Sequence, residues 1–213
     1  MKPWVTLASV ATADGPLELR RRGERDFLIV IAGRVLMTSS DRRSEEVLAR
    51  AACTGLTGAP RVLIGGLGMA YTLRAALDAL PAEATVVVAE LTAAVADWCR
   101  GPLAVLTRSA ATDPRVTIVI DDVAHVIAGA AAWHYQAIVL DLYEGPYAGA
   151  DDPIFGAAAL ERIHAALAPG GVVAVWSEEA APAFARRLAH RFTVETMRDG
   201  TQRSHFVYVG RRR

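Results

Sequence analysis

From residue 61 onward the chain alternates between short apolar runs and amphipathic stretches. The apolar runs lie at residues 61–66, 85–90, 115–121, 136–142 and 172–176. Their nearly continuous apolar character is typical of strands that are buried on both faces of a parallel sheet. Between them, apolar residues recur at helical spacing. Strands that alternate with helices in this way predict an α/β fold with a doubly wound, mostly parallel sheet.

Both ends of the chain follow a different pattern. The first forty residues read as short strands between glycine turns. Residues 192–199 and 204–211 flank a polar turn and predict an antiparallel hairpin, which brings the main sheet to seven strands. We therefore divide the chain into a small N-terminal β region at 1–43 and a main domain at 44–213.

Composition narrows the class of protein. The chain has 213 residues, is 53% hydrophobic and has a formal net charge of zero, whereas proteins that grip nucleic acid usually carry a basic excess. No apolar run approaches the roughly 20 residues of a membrane helix. Cys53 and Cys99 lie in helical patterns, and the five histidines are scattered without metal-ligand spacing. We expect a soluble, cytoplasmic protein with no nucleic-acid partner, no membrane contact and no metal site.

The end of the first core strand carries Gly66 and Gly68, directly before a predicted helix. Ligands of doubly wound sheets bind outside the carboxyl ends of the strands, and glycine allows a ligand to approach the main chain. The alternative is a tight turn in which the glycines serve packing alone. The glycine pair by itself does not decide between these interpretations.

The end of the next strand strengthens the ligand hypothesis. Glu90 follows the glycines by about twenty residues, where a carboxylate can accept both hydroxyls of a ribose. Leu91 comes next and belongs to the same predicted site. A dinucleotide-binding fingerprint requires a third glycine where this chain has the bulky Tyr71, and this difference argues against NAD as the ligand. S-adenosylmethionine (SAM) is the other nucleotide class that shares these features.

A pair of aspartates ends the third core strand. Asp121 or Asp122 can accept a hydrogen bond from the amine of adenine, and Val123 can touch the ring. Either aspartate can instead cap the following helix. The two roles do not exclude each other.

The densest polar cluster follows the fourth core strand. Asp141 closes an apolar strand, and Tyr143, Glu144 and Tyr147 follow in a loop long enough to form a lid or an acceptor site. Carboxylates beside aromatic rings suit a cationic centre, because the ring faces attract it and the carboxylates orient it.

These segments together resemble the spermidine synthase (polyamine aminopropyltransferase) family, within the class I SAM-dependent methyltransferase fold. The similarity runs from about residue 28 to the C-terminus. It rests on six segments: RVLIGGLGMAYTLRAAL, VVVAELTAAVADWCR, RVTIVIDDVAHVI, YQAIVLDLYEGPYAGADDPIF, ALAPGGVVAVW and IAGRVLMTSSDRRSEEVLA, the last of which is similar to the family's N-terminal lid segment. The resemblance implies that Glu90 binds the ribose, that Asp122 lies in the adenine motif, and that Asp141 and Glu144 stand for the two acids of a D-x-x-D loop. The first acid of that loop is the family's general base.

Several positions depart from the family pattern. Met69 stands where the family has an aspartate that grips the amine of the aminopropyl donor. In the lid segment, Leu36 or Met37 replaces a glutamine, and Ser44 and Glu45 replace a Tyr-His pair. The nucleoside half of the motif set is therefore kept, while much of the apparatus for a polyamine is missing.

The sequence thus predicts a SAM-dependent transferase that most readily fits methyl transfer to a small-molecule acceptor. Aminopropyl transfer from decarboxylated SAM and a non-catalytic nucleoside-binding relic are the alternatives. Asp141 is the predicted proton acceptor or orienting group, with Glu144, Tyr143 and Tyr147 as acceptor contacts; Trp176 either walls the site or packs in the core. The family resemblance favours a homodimer. The predicted donor site comprises Gly66, Gly68, Met69, Glu90, Leu91, Asp121, Asp122, Val123 and Asp141.

Overall fold

The N-terminal region forms an antiparallel sheet of its own. The computed structural model describes residues 2–142, 151–200 and 205–213. Neighbouring strands of the first sheet are joined by tight turns, as the glycine punctuation predicts. In spatial order the strands are β1 (Val5–Thr12), β2 (Gly15–Arg22), β3 (Asp26–Ile31) and β4 (Arg34–Thr38).

The main sheet has seven strands in the order β10-β11-β9-β8-β5-β6-β7. Strands β5 to β9 are mutually parallel, and β10 and β11 form the predicted antiparallel hairpin, with β11 antiparallel to β9. The α/β fold predicted from the alternating pattern is confirmed. The strands are β5 (Arg61–Gly65), β6 (Thr85–Glu90), β7 (Val116–Ile120), β8 (Tyr135–Leu140), β9 (Leu167–Ser177), β10 (Phe192–Arg198) and β11 (Phe206–Arg212).

Helices cover both faces of this sheet. A short 3-10 helix at Ala110–Thr112 precedes β7. The α-helices are α1 (Arg43–Cys53), α2 (Tyr71–Ala79), α3 (Ala93–Arg100), α4 (Ala104–Thr107), α5 (Val123–Ala128), α6 (Ala157–Ala166) and α7 (Pro182–Ala189). The sequence analysis missed α4, which is one turn long, and α7, whose buried face is formed by Phe184 and Leu188.

Two hydrophobic cores lie on opposite faces of the main sheet. One core packs α1, α2 and α3 against the sheet and also contains residues of β2 and β3, among them the fully buried Leu19. The other core packs α5, α6 and α7 against the opposite face. The N-terminal sheet is thus part of the first core, and the boundary at residue 43 coincides with the first residue of α1.

The parallel register brings the carboxyl ends of the core strands to one edge. Gly65 pairs with both Ala89 and Leu140, and Glu90 pairs with Ile120. The polar residues that follow β5, β6, β7 and β8 therefore meet at a common edge of the sheet. Within the described residues, no helix combines the length and apolar character needed to cross a membrane.

Candidate functional site at the strand ends

Gly66 begins the turn between β5 and α2. Its φ of +85° lies in the left-handed region, and a Cβ there would lie 2.3 Å from the carbonyl oxygen of Asp141. The Asp141 N–H in turn donates to the Gly65 carbonyl at 2.9 Å. Glycine is required at this position because the end of β8 approaches the turn closely. For Gly66 the structure therefore favours the packing interpretation.

Gly68 is covered by the N-terminal sheet. Met37, in β4, places its Sδ atom 3.0 Å from where a Gly68 Cβ would lie, and the same sulfur accepts the Met69 N–H at 3.2 Å. The Met69 side chain is fully buried in the first core. The main-chain surface of this turn, where the sequence predicts a ligand, is in contact with the Met37 thioether.

Glu90 lies at the end of β6, where the sequence placed it. Its carboxylate accepts the Leu67 N–H at 2.9 Å through Oε2 and the Thr92 N–H at 2.8 Å through Oε1. Burial raises the pKa of Glu90, and the backbone hydrogen bonds from Thr92, Leu67 and Leu91 oppose that shift. Since a carboxylate offers about four lone-pair sites, these three backbone donors leave Glu90 the capacity to accept about one further hydrogen bond.

An exposed apolar surface adjoins Glu90. The side chain of Leu91 is 75% exposed, and Ile120, at the end of the neighbouring strand β7, is 48% exposed. Because Glu90 pairs with Ile120, the two apolar side chains flank a common region of the edge. The sequence analysis did not single out Ile120, whose position at the end of an ordinary apolar strand carries no signal.

The aspartate pair after β7 is engaged in local hydrogen bonds. Asp122 caps α5 by accepting the Ala124 N–H at 2.8 Å, which is the capping role predicted for one of the two aspartates. Asp121 accepts the Asp122 N–H at 2.8 Å and lies 3.2 Å from Nδ1 of His125. Both aspartates remain exposed, whereas Val123 is buried and lies beside Gly65. Adenine binding by these residues remains a prediction.

Asp141 lies at the end of β8 and is half-buried. Its Oδ2 accepts a hydrogen bond from the Thr72 hydroxyl in the first turn of α2. Burial, together with the charge of Glu45, raises the pKa of Asp141 to about 7, and the Thr72 hydrogen bond opposes the shift. A carboxyl group with such a pKa exchanges protons readily near neutral pH.

Glu45 is a buried acid in the first turn of α1. It accepts a hydrogen bond from the Ser44 hydroxyl at 2.6 Å. Its own pKa is raised, first by burial and also by Asp41, while hydrogen bonds and the charge of His205 oppose the shift. The sequence analysis noted Glu45 only as a departure from the family motif. Its pairing with a residue almost one hundred positions away is set by the packing of α1 against β8 and β9.

A second polar pair continues the edge beyond β8. Asp141 is one residue past Leu140, which pairs with Val175, so Asp141 and Trp176 are neighbours at the ends of β8 and β9. His205 precedes β11 and lies with its ring centroid 5.2 Å from that of Trp176. Its Nδ1 is 2.9 Å from Oδ2 of Asp199, whose side chain is fully buried. The predicted hairpin sets Asp199 opposite His205, whereas only the strand order 10-11-9-8 brings that pair beside Trp176 and Asp141.

The indole Nε1 of Trp176 is buried and has no hydrogen-bond partner among the described residues. The predicted acceptor residues Tyr143, Glu144 and Tyr147 lie outside the described residues. Within the described ranges, no group of three or more histidine, cysteine or acidic side chains has an arrangement that could hold a metal ion.

Known proteins resemble this chain in sequence and in fold. No protein-family model matches it. A polyamine aminopropyltransferase from Aeropyrum pernix is 31% identical over 147 residues, which cover 68% of this chain and 46% of that protein. Putrescine N-methyltransferase 4 from Nicotiana tabacum is 35% identical over 118 residues, covering 55% of this chain and 30% of that protein. The matched region therefore spans less than half the length of these curated relatives.

The fold agrees with solved structures over nearly the whole chain. The crystal structure of spermidine synthase from Thermotoga maritima matches with a TM-score of 0.78 at 18% identity, covering 97% of this chain and 72% of that one. The chain has the Rossmann-like fold of class I SAM-dependent methyltransferases, with a small antiparallel sheet added. Within that class, sequence and structure neighbours both point to spermidine synthases, the polyamine aminopropyltransferases. The resemblance predicted from the motifs is confirmed.

Proposed function

We propose that this protein is a SAM-dependent transferase that methylates a small-molecule acceptor. The observation that carries the proposal is the arrangement of Glu90 at the strand edge. Its carboxylate is held by main-chain N–H groups of Leu67, in the glycine turn, and of Thr92, and it retains some acceptor capacity. That arrangement suits a hydroxyl of a ribose.

The surroundings of Glu90 fit an adenosyl group. Leu91 and Ile120 offer exposed apolar surface for a purine ring beside a polar sugar site. Asp121 and Asp122 keep exposed carboxylates within the same edge, which suits the exocyclic amine of adenine. Met37 contacts Gly68, so SAM can reach the main chain at Gly68 only if Met37 gives up this contact. SAM supplies a methyl group on a sulfonium centre, from which a neutral thioether departs without acid assistance.

The proton acceptor in this proposal is Asp141. Attack by an amine or hydroxyl releases a proton, and a carboxylate with a pKa of about 7 can hold it near neutral pH. The Thr72 hydroxyl fixes the orientation of that carboxylate. The negative charge of Glu45 increases the proton affinity of Asp141, and the two acids together favour a cationic acceptor in the same region.

Methyl transfer is favoured over aminopropyl transfer by the glycine turn. The position of the family's amine-binding aspartate is occupied by Met69, whose side chain is fully buried in the core. Loss of a counter-charge in a partly buried site weakens binding of a lone ammonium. Intact SAM carries a carboxylate that an aspartate at this position would repel. The similarity to a protein named putrescine N-methyltransferase 4 supports the same choice.

Aminopropyl transfer from decarboxylated SAM is the second candidate. It is supported by the similarity to a protein named polyamine aminopropyltransferase, and by two acids that suit a cationic acceptor. Assembly as a homodimer remains a prediction from the resemblance.

Donor competition tests the proposal. Isothermal titration calorimetry should show that SAM binds, and that Glu90→Gln weakens its affinity by about tenfold or more, because a neutral amide replaces a charged acceptor of ribose hydrogen bonds. Glu83→Gln is the matched control, since Glu83 is an exposed glutamate on the loop before β6. It should bind SAM as the wild type does.

The same titration separates the two donors. If decarboxylated SAM binds about tenfold more tightly than SAM, the proposal of methyl transfer is wrong and aminopropyl transfer takes its place. Absence of binding by both donors at millimolar concentration would refute the transferase proposal itself.

A further inference from the structure

A cavity opens on the outer surface of α1, α2 and α4, among residues to which the proposed function assigns no role. Its volume is about 470 Å³. Four arginines and two acids contribute to its lining: Arg42, Arg50, Arg74, Arg108, Glu46 and Asp78. These six residues define the arginine cleft. In a chain with a formal net charge of zero, the cleft concentrates two excess positive charges.

The two acids cannot neutralise the four guanidinium groups. Glu46 is shared between Arg42, at 3.1 Å, and Arg50, at 3.4 Å. Asp78 is shared in the same way between Arg74 and Arg108, each at 2.7 Å. Each carboxylate therefore holds two guanidinium groups near each other. The excess positive charges around the cavity repel one another, and a further anion in the cavity would reduce that repulsion.

Arg74 has an unused donor inside the protein. Its side chain is 19% exposed, and its Nε is buried without a hydrogen-bond partner among the described residues. A buried N–H of a charged group that lacks a partner costs free energy, so native proteins usually supply one. An anion in the cleft reaches this buried N–H only if the Arg74 side chain shifts towards it.

Arg108 lines the cleft and is the C-terminal cap of α4, with a left-handed backbone conformation. Arg108 and Ser109 have φ values of +54° and +57°, in the left-handed region that residues other than glycine, asparagine and aspartate seldom adopt. Residues in this conformation are disfavoured and are enriched at ligand sites. The guanidinium of Arg108 donates to both carboxylate oxygens of Asp78.

We propose that the arginine cleft binds a phosphate-bearing small molecule with at least two negative charges. The planar donor fork of arginine matches the oxygens of a phosphate, and several guanidinium groups around one cavity suit a polyanion better than a monoanion. This site is separate from the strand edge, and the proposal does not rest on the proposed transferase function.

Calorimetric titration with inorganic phosphate and with pyrophosphate tests the proposal on the full chain. The variants are Arg108→Gln, at a side chain that is 72% exposed, and Arg74→Gln, at the residue with the buried donor. Arg162→Gln is the matched control, because Arg162 is exposed on α6 beyond the opposite face of the sheet. Circular dichroism and a melting curve establish that each variant is folded.

We expect pyrophosphate to bind more tightly than phosphate, and the affinity to fall as salt concentration rises. Arg108→Gln should weaken pyrophosphate binding by about tenfold or more, whereas Arg162→Gln and Glu90→Gln should leave it unchanged. Absence of saturable binding to the wild type at millimolar pyrophosphate, or equal affinity in the wild type and Arg108→Gln, would overturn the proposal. Arg108→Gln keeps the test valid should Arg74→Gln fail to fold.

Discussion

The side chains of Asp141 and Glu45 carry like charges close enough to act on each other. The charge of Glu45 contributes to a pKa of about 7 for Asp141, and burial contributes more. An aspartate in the unfolded chain has a pKa near 3.8. The folded protein therefore binds the Asp141 proton more tightly than the unfolded chain does. The resulting stability is fully present below the unfolded pKa and is lost as the pH rises through about 7.

Replacement of Asp141 by asparagine should remove this loss. An amide keeps an acceptor for the Thr72 hydroxyl but carries no charge. We expect the free energy of unfolding of Asp141→Asn, relative to that of the wild type, to increase on the order of 2–3 kcal/mol between pH 5 and pH 8. The reason is that roughly two pH units of the Asp141 titration lie in that interval. Urea unfolding at both pH values measures the difference.

Glu83→Gln serves as the control for this experiment, since Glu83 is an exposed glutamate on the loop before β6. An Asp141→Asn variant whose stability difference from the wild type is independent of pH would show that Asp141 titrates as an ordinary carboxyl group. Under the proposed function the same variant should also lose most of its turnover, and unchanged turnover would favour the nucleoside-binding relic.

At the scale of elements, strand β4 links the N-terminal sheet to the glycine turn. Met37 contacts Gly68 and accepts the Met69 N–H, and Tyr71 donates its hydroxyl to the Ser39 carbonyl at 3.0 Å. The lid segment predicted from the resemblance is therefore in direct contact with the predicted donor site. A donor that approaches the main chain at Gly68 must exchange the contact with Met37 for one of its own.

Methionine methyl groups report this exchange directly. The chain has four methionines, so a sample labelled with ¹³C at the methionine methyl group should give few signals. We expect saturating SAM to shift the Met37 signal and to leave that of Met197, in β10, nearly unchanged. Met37→Leu and Met197→Leu assign the two signals. A Met37 signal that stays in place while calorimetry reports bound SAM would show that the donor does not reach Gly68.

The sequence predicts the elements that repeat a strong pattern and misses those that do not. The apolar runs of β5 to β8 and the helical spacing of α3 are continuous enough to set both type and position. Helix α4 is a single turn, too short for a period of 3.6 residues to appear. Helix α7 begins at Pro182, and proline in the first turn is a helix start signal. The signal was overlooked because the helix lies between the last parallel strand and the C-terminal hairpin.

For the candidate site, the sequence locates residues that follow a strand but not those that packing brings to them. Glu90 and Asp141 are found because a carboxylate after an apolar strand is a local signal. The position of Glu45 near Asp141 depends on the packing of α1, and the position of Asp199 and His205 beside Trp176 depends on the strand order. The purpose of Gly66 also follows only from the structure, where the main chain of β8 fills the space beside it.

At the scale of the whole molecule, the N-terminal sheet and the α1 face of the main sheet share one hydrophobic core. Leu19 and Phe27, from β2 and β3, are almost fully buried in the same cluster as Leu48 of α1 and Val207 of β11. A division at residue 43 describes the order of elements along the chain. It does not describe an independent folding unit, because the smaller sheet buries its apolar face against the larger part.

Phe27→Ala should therefore destabilise the main sheet as well as the N-terminal one. Removal of a buried phenylalanine ring costs about 3–5 kcal/mol. We expect hydrogen exchange to show this loss at the slowest amides of β5 and β8 as well as in β2 and β3, because a shared core unfolds cooperatively. Val35→Ala, at a side chain that is 51% exposed on β4, should change neither. Faster exchange confined to residues 5–38, with β5 and β8 protected as before, would instead mean that the N-terminal sheet opens by itself. A donor could then reach Gly68 by that opening alone, since Met37 belongs to the sheet that moves.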